Sequence, residues 1–387
     1  MRKINYSRVF AVGTLLTVVM FVLWACGGST KTKEDVYVPN VYVVGFETDL
    51  NGNAIPKFWE NGIEQDFISD VNICLYDVFV SDTDIYILGF DLNKDKWNPI
   101  LWKNGVKQDF TAENCVANSI FVSDTDVYIV GYEFSKGGSK YLFYPNSFVS
   151  FFFWDSENKE KEIAKLWKNG VEQELSDGKY DTRAESVFVS DGNVYAVGNG
   201  KDKKEIWNSK LWKNGEEQNF INGEGMWTRS IFVLGSDVYV VGNEENEDSI
   251  RVAKLWKNGV VQNLTDGKRD AYAKSIFVLE NDVYIVGQEI NEDTIRVVKL
   301  WKNGVEQTLS DGKHKTSVES VFVFGDDVYI VGYDEKEKKK DEGEENDERE
   351  NKENKEEKGV AKLWKNGVEQ NLTDGKRNAY AMSVFVK

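Results

Sequence analysis

The chain has 387 residues, 41% of them hydrophobic and 13% aromatic, and carries a formal net charge of -17 at pH 7. That is enough apolar material for a sizeable core, and the acidic balance excludes nucleic acid, whose phosphates require a basic surface, and argues against adhesion to anionic lipid. Three cysteines and one histidine exclude a disulfide-rich scaffold and a zinc site of ordinary spacing, and no metal or cofactor motif is present.

The N-terminus reads as an export signal. Arg2, Lys3 and Arg8 form a positive start, and Val9 to Leu23 are apolar apart from small residues and threonines. This run is shorter than the ~20 residues a membrane-spanning helix needs. It ends in "LWAC", Leu23 to Cys26, which resembles the signal of bacterial lipoproteins: Leu at −3, a small residue at −1, then the cysteine that receives lipid. The resemblance implies a signal peptide over 1–25, a lipid on Cys26 and a solvated tether over 26–35. The implied address is a bacterial cell envelope, at its outer membrane, with the lipid as the only membrane contact.

From Val36 onward the chain repeats itself. "LWKNG" or a close variant occurs seven times, with tryptophans at 59, 102, 167, 212, 256, 301 and 364. A second phrase, as in "VYIVG", places tyrosines at 42, 86, 128, 195, 239, 284 and 329. A third, as in "SIFV", is centred on phenylalanines at 79, 121, 188, 232, 277, 322 and 385. Uninterrupted tryptophans are 43 to 45 residues apart, too long a period for the shorter helical repeats and right for four short strands per unit. The strands are a ("SIFV"), b ("VYIVG", ended by its glycine), c ("KLWK") and d ("VEQNL"). Asn-Gly between c and d is a strong hairpin signal, because both central residues of a type I′ turn need positive φ.

The repeats start at b, with Val41, and stop at a, with Ser383 to Val386. The last strand therefore belongs to the blade the N-terminus began, and pairing the two ends closes the ring and removes an exposed edge. Val36 to Val38 compete for the same slot, but "VYVPN" holds a proline that interrupts pairing. The chain thus resembles an all-β, seven-bladed β-propeller over 36–387, and with "LWAC" it is similar to uncharacterised bacterial lipoproteins built of tandem "KLWKNG" repeats. That resemblance implies an architecture and no chemistry.

Two inserts, 133–163 and 334–358, fall between strands b and c. The second is almost wholly charged and is expected not to fold. The first holds the aromatic run Tyr141 to Trp154, read either as a packed hairpin or as a partner contact. Both rise from one face, the top, which the d–a connections share.

The repeated tryptophans read as core rather than as sugar platforms, and "SDTD" and "TDGK" read as turns rather than calcium loops. Cys74 and Cys115, at near-equivalent positions, stand either as a disulfide or as buried free thiols. The framework repeats closely, whereas the residue five before each phenylalanine varies: Cys74, Val116, Arg183, Trp227, Tyr272, Ser317 and Tyr380. Adjoining positions bring Arg269, Asp270, His314 and Arg377. Arg183, Trp227, Arg269, Asp270, Tyr272, His314, Arg377 and Tyr380 are therefore the expected ligand-binding set, converging on the top mouth of a central channel. No catalytic residue is assigned. The leading function is a binding or scaffold protein with a protein or glycan ligand, and the alternative is a lyase or glycosidase using carboxylates such as Asp181 and Asp270.

Overall fold

In the computed structural model, which describes residues 38–92, 98–110, 114–135, 161–220, 224–335 and 359–387, the Asn-Gly dipeptide sets the geometry of every repeat. The seven asparagines, Asn61 to Asn366, have φ between 50° and 54°, and the glycines after them 75° to 86°, the positive values a type I′ turn requires. Each asparagine also ties its hairpin to the a–b turn beside it. The Asn258 side-chain oxygen accepts the Val238 N–H at 2.8 Å, and its amide donates to Asp237 at 2.8 Å. Lys257 reaches the same carboxylate at 2.8 Å and lies over the Tyr239 ring. Equivalent latches form at Asn104, Asn169, Asn303 and Asn366. The turn aspartates that hint at calcium are thus occupied by lysine and asparagine.

Seven four-stranded antiparallel sheets result. Blade 5 shows the pattern: strand a is Met226–Leu234, b is Asp237–Glu245, c is Arg251–Lys257 and d is Val260–Asn263. Strands a of blades 2, 3, 4, 6 and 7 are Ile73–Ser81, Cys115–Ser123, Thr182–Ser190, Ala271–Leu279 and Lys315–Phe324. In blade 1, strand a is the C-terminal segment Asn378–Val386, paired along the whole of strand b, Val41–Thr48. Asn40 and Lys387 extend the pairing with two further backbone hydrogen bonds, at 2.6 and 2.9 Å. Val38 lies exposed outside any strand, so the C-terminal strand holds the slot.

The core is a set of seams between blades. Tyr239, Val241 and Leu255 of blade 5 pack on Ala271, Ala273, Ile276 and Val278 of blade 6, with Trp301 beneath. All seven repeat tryptophans are at most 2% exposed, which makes them core as expected. In blades 1, 3, 6 and 7 a lysine of strand c joins the strands on either side. Lys165 lies among Glu133, Glu172 and Glu174 at 2.8, 2.5 and 3.3 Å. Burial alone lowers its pKa, but Glu133 and Glu172 more than reverse this and hold it above the ordinary lysine range.

Two details differ from the sequence reading. The glycine of "VYIVG" does not end strand b, which continues two or three residues past it. The flanking strands also reach into the inserts: Glu133 and Phe134 belong to b of blade 3, Glu162 and Ile163 to c, and Asp334 and Glu335 to b of blade 7. Bounds of 133–163 and 334–358 are therefore too wide, because Lys362 at 2.5 Å and the Thr316 hydroxyl at 2.7 Å make a buried strand position acceptable for Asp334. Cys74 and Cys115 are both free and buried, and burial pushes each thiol above its usual range. Cys26 and Tyr141 to Trp154 lie outside the described residues.

Two outcomes test this account. Deleting Ser383 to Lys387 removes the inner partners of Val41 to Val44 and is expected to lower the melting midpoint by on the order of ten degrees or more, or to leave the chain insoluble. Gly198→Ala places a Cβ 1.9 Å from the Arg183 carbonyl oxygen, and denaturant unfolding should show a loss at or beyond the upper end of the ~1–3 kcal/mol usual for overpacking.

Candidate functional site at the channel mouth

Strand a runs from the top face towards the Asn-Gly face, so its successive residues line the axis at successive depths. Blade separation grows with radius, and equivalent residues of adjacent blades can touch only near that axis. The seven phenylalanines do so all the way round: each ring lies 4.6 to 5.1 Å from the next, in the order 79, 121, 188, 232, 277, 322, 385 and back to 79. Such spacings close a circle about 11 Å across between centroids, much of it filled by the rings themselves. This is the floor of the mouth.

Three residues above each phenylalanine, every strand a carries a bulge. In blade 4, Ala184 pairs with Gly198 and Ser186 with Val197, which leaves Glu185 as the extra residue. The bulge drives the Arg183 carbonyl towards strand b, and only a glycine leaves room for it. The bulged residues are Tyr76, Asn118, Glu185, Arg229, Lys274, Glu319 and Met382, all part-exposed. They also meet around the axis. Lys274 lies 3.0 Å from Glu319, Arg229 lies 3.8 Å from Glu185, and the Asn118 amide donates to the Ala184 carbonyl at 2.8 Å. The sequence reading missed this ring. Its one available signal was the glycine of strand b, which marks a bulge opposite.

Below the bulge, serine hydroxyls accept N–H groups from the neighbouring blade, as Ser320 does from Val384 and Ser275 from Val321. Blade 2 has Asp77 instead. Its carboxylate accepts Val78 N–H at 2.9 Å, Ile120 N–H at 2.9 Å and the Ser383 hydroxyl at 2.8 Å, and so joins blades 1, 2 and 3. Burial raises its pKa to about 6 against these donors, which pull the other way.

The residues expected at the mouth lie higher and further out. Arg183 reaches blade 3, where Glu162 holds it through two hydrogen bonds, and lies over Tyr132 and over Trp207 of its own blade. Trp227 packs on Trp207 at 5.0 Å, so Arg183 and Trp227 share one neighbour. The Tyr272 hydroxyl accepts from Arg251 at 3.1 Å, and Tyr380 packs between Phe46 and Tyr333, 4.8 Å from each. Side chains five before the phenylalanine thus lie in the top of the seams, mostly towards the preceding blade. Arg269 pairs with Glu292 at 2.7 Å, Arg377 lies 3.8 Å from Glu47, and His314 is an exposed loop residue. Asp270 accepts the Arg251 N–H at 2.8 Å, and Asp181, Asn72 and Asn378 fasten strand c of their preceding blades in the same way.

No protein-family model matches the chain. No curated protein matches it either. Among solved structures it is similar to a Mycobacterium tuberculosis puromycin-hydrolyzing peptidase, with a TM-score of 0.51 and 8% identity over 85% of this chain and 53% of that one. It is also similar to the acylaminoacyl peptidase of Pyrococcus horikoshii, with a TM-score of 0.46 and 14% identity over 88% of this chain and 52% of that one. The β-propeller domain of the Trilobed protease from Pyrococcus furiosus follows, with a TM-score of 0.35 and 10% identity over 78% of this chain and 98% of that one. The chain spans about half the length of the two peptidases. At such identity the mycobacterial likeness bears on the fold alone, and the other two are too distant to carry an argument.

Asp77 gives the inner ring a pH signature. An acid whose pKa is raised by folding binds its proton more tightly in the native state, so stability falls as pH rises between the unfolded value near ~4 and about 6. Asp77→Ser, which restores the serine of the other blades, should remove that component. The stability of the parent relative to this variant is expected to drop by on the order of 2 kcal/mol from pH 4 to pH 7. A difference independent of pH would mean that Asp77 titrates as an ordinary surface carboxylate.

Proposed function

We propose that this is a non-enzymatic binding or scaffold protein of a bacterial cell envelope, held by a lipid on Cys26, whose top face and channel mouth engage a protein or glycan. The observation that carries this reading is the contrast between a framework repeated in every blade and a mouth whose bulged residues differ in every blade but two. Motif residues such as Trp256, Lys257 and Asn258 are consumed by the fold, whereas Glu185, Arg229, Lys274 and Glu319 stay part-exposed at the axis. Support for a binding role over hydrolysis comes from Asp181 and Asp270, which fasten neighbouring blades rather than face one another across a bond. Support for the anchor's direction comes from Asn40, which enters strand b beside the Asn-Gly turn of blade 1, on the face opposite the mouth. A lipid on that side leaves the mouth facing away from the membrane.

Two measurements test the reading. Cells expressing the chain should incorporate labelled palmitate into it and deliver it to the membrane fraction, and Cys26→Ala should abolish both. The purified protein, probed on glycan and envelope-protein arrays, should retain a partner without turning it over. Release of a cleaved product would favour the enzymatic alternative.

A further inference from the structure

Around the axis, the bulged residues of blades 4 to 7 carry charge in the order Glu185, Arg229, Lys274, Glu319. Each cation has one carboxylate, and in both cases it lies on the outer side of the pair: Glu185 for Arg229, and Glu319 for Lys274. Among the described residues, no carboxylate pairs with either cation on the side that faces the other. The two cations occupy equivalent positions in adjacent innermost strands, above Phe232 and Phe277, whose rings are 5.1 Å apart. Two like charges side by side on neighbouring strands repel, and the pairs beside them only partly offset this. Arg229 is 35% exposed and Lys274 24%, so each keeps donors free for something at the axis. The Trp227 ring lies 5.5 Å from the Arg229 guanidinium and holds it towards the mouth.

The side of the mouth opposite this charged arc is more apolar. Across the axis the bulged residues are Met382, Tyr76 and Asn118; the first two pack into clusters with Tyr380 and Phe90, and the Asn118 amide donates to the Ala184 carbonyl. Below lies the phenylalanine floor. A ligand seated here meets Arg229 and Lys274, each with its carboxylate on the outer side, along one wall, and Met382, Tyr76, Asn118 and the phenylalanine floor along the others.

We infer that the channel mouth binds a small organic carboxylate, its anionic head between Arg229 and Lys274 and its apolar body towards Met382, Tyr76 and the phenylalanine floor. Arginine supplies planar paired donors and lysine a point charge, a combination suited to one carboxylate bridging two blades. A simple inorganic anion would leave the apolar wall unused, and a neutral analogue would leave the adjacent cations unrelieved. This inference rests on the mouth being the binding face.

The test uses purified full-length protein and isothermal calorimetry with benzoate, benzamide, glucuronate and inorganic phosphate. Benzoate is expected to bind at least ten-fold more tightly than benzamide, phosphate or glucuronate. Arg229→Gln with Lys274→Gln should weaken benzoate at least ten-fold and keep the melting midpoint within a few degrees, while Lys274→Arg should bind benzoate as the parent does. Equal affinity for benzoate and benzamide in the parent would overturn the inference whatever the variants do, and so would tighter binding of glucuronate or phosphate. No heat with benzoate, alongside intact retention of an array partner, would sink the carboxylate site and leave the binding role standing.

Discussion

Each repeat is organised around a carbonyl oxygen that stands where a side chain would otherwise begin. In six of the seven blades a Cβ on the strand b glycine would lie 1.8 to 2.0 Å from the backbone oxygen opposite, and in blade 2 it would lie 2.6 Å away. That closeness is what allows strand a to bulge, and the bulge frees one residue per blade from the alternation that sends its neighbours into the seams. Without it the innermost strands would present only seam-facing side chains and a ladder edge. The inner serine contacts, the charged arc and the phenylalanine ring all follow from this local crowding.

The architecture was legible because the chain carries seven aligned samples of one unit. Asn-Gly at a fixed distance from a tryptophan left little freedom in the c–d hairpin, and the match of Ser383–Val386 to six other strands decided which end closes the ring. The mouth was only partly legible. Variation among the copies pointed to the top of strand a, but it singled out Arg183, Trp227 and Tyr272, two positions before the bulge. A period of two cannot show an inserted residue: Glu185 and Arg229 look like ordinary surface charges until Gly198 and Gly242 are seen in mid-strand. Asp270 misled for another reason, since an aspartate that caps a neighbouring strand and one that serves a ligand look alike in sequence.

The distribution of charge separates framework from mouth. Despite the acidic balance, framework lysines sit among carboxylates of their own blade, as Lys165 does between strands b and d and Lys257 does beside a turn. Such pairing within a blade offsets part of the like charge that neighbouring blades would otherwise turn towards one another. Arg229 and Lys274 depart from this rule at the axis, each finding its carboxylate in a different blade, as Arg183 and Arg296 do higher in the seams. Departures from a repeating pattern of compensation are where a repeat protein has room for a property that its blades do not share.

The closure of the ring has a mechanical consequence. Strand b of blade 1 is gripped on both edges, by Asn378–Val386 on one side and Ala54–Glu60 on the other. A pull on the chain ahead of Asn40 is directed along that strand, so the hydrogen bonds of both ladders share the load in shear and do not peel apart one at a time. Force applied there meets one of the most strongly clamped strands in the molecule, and the opposite face, with its mouth, is spared.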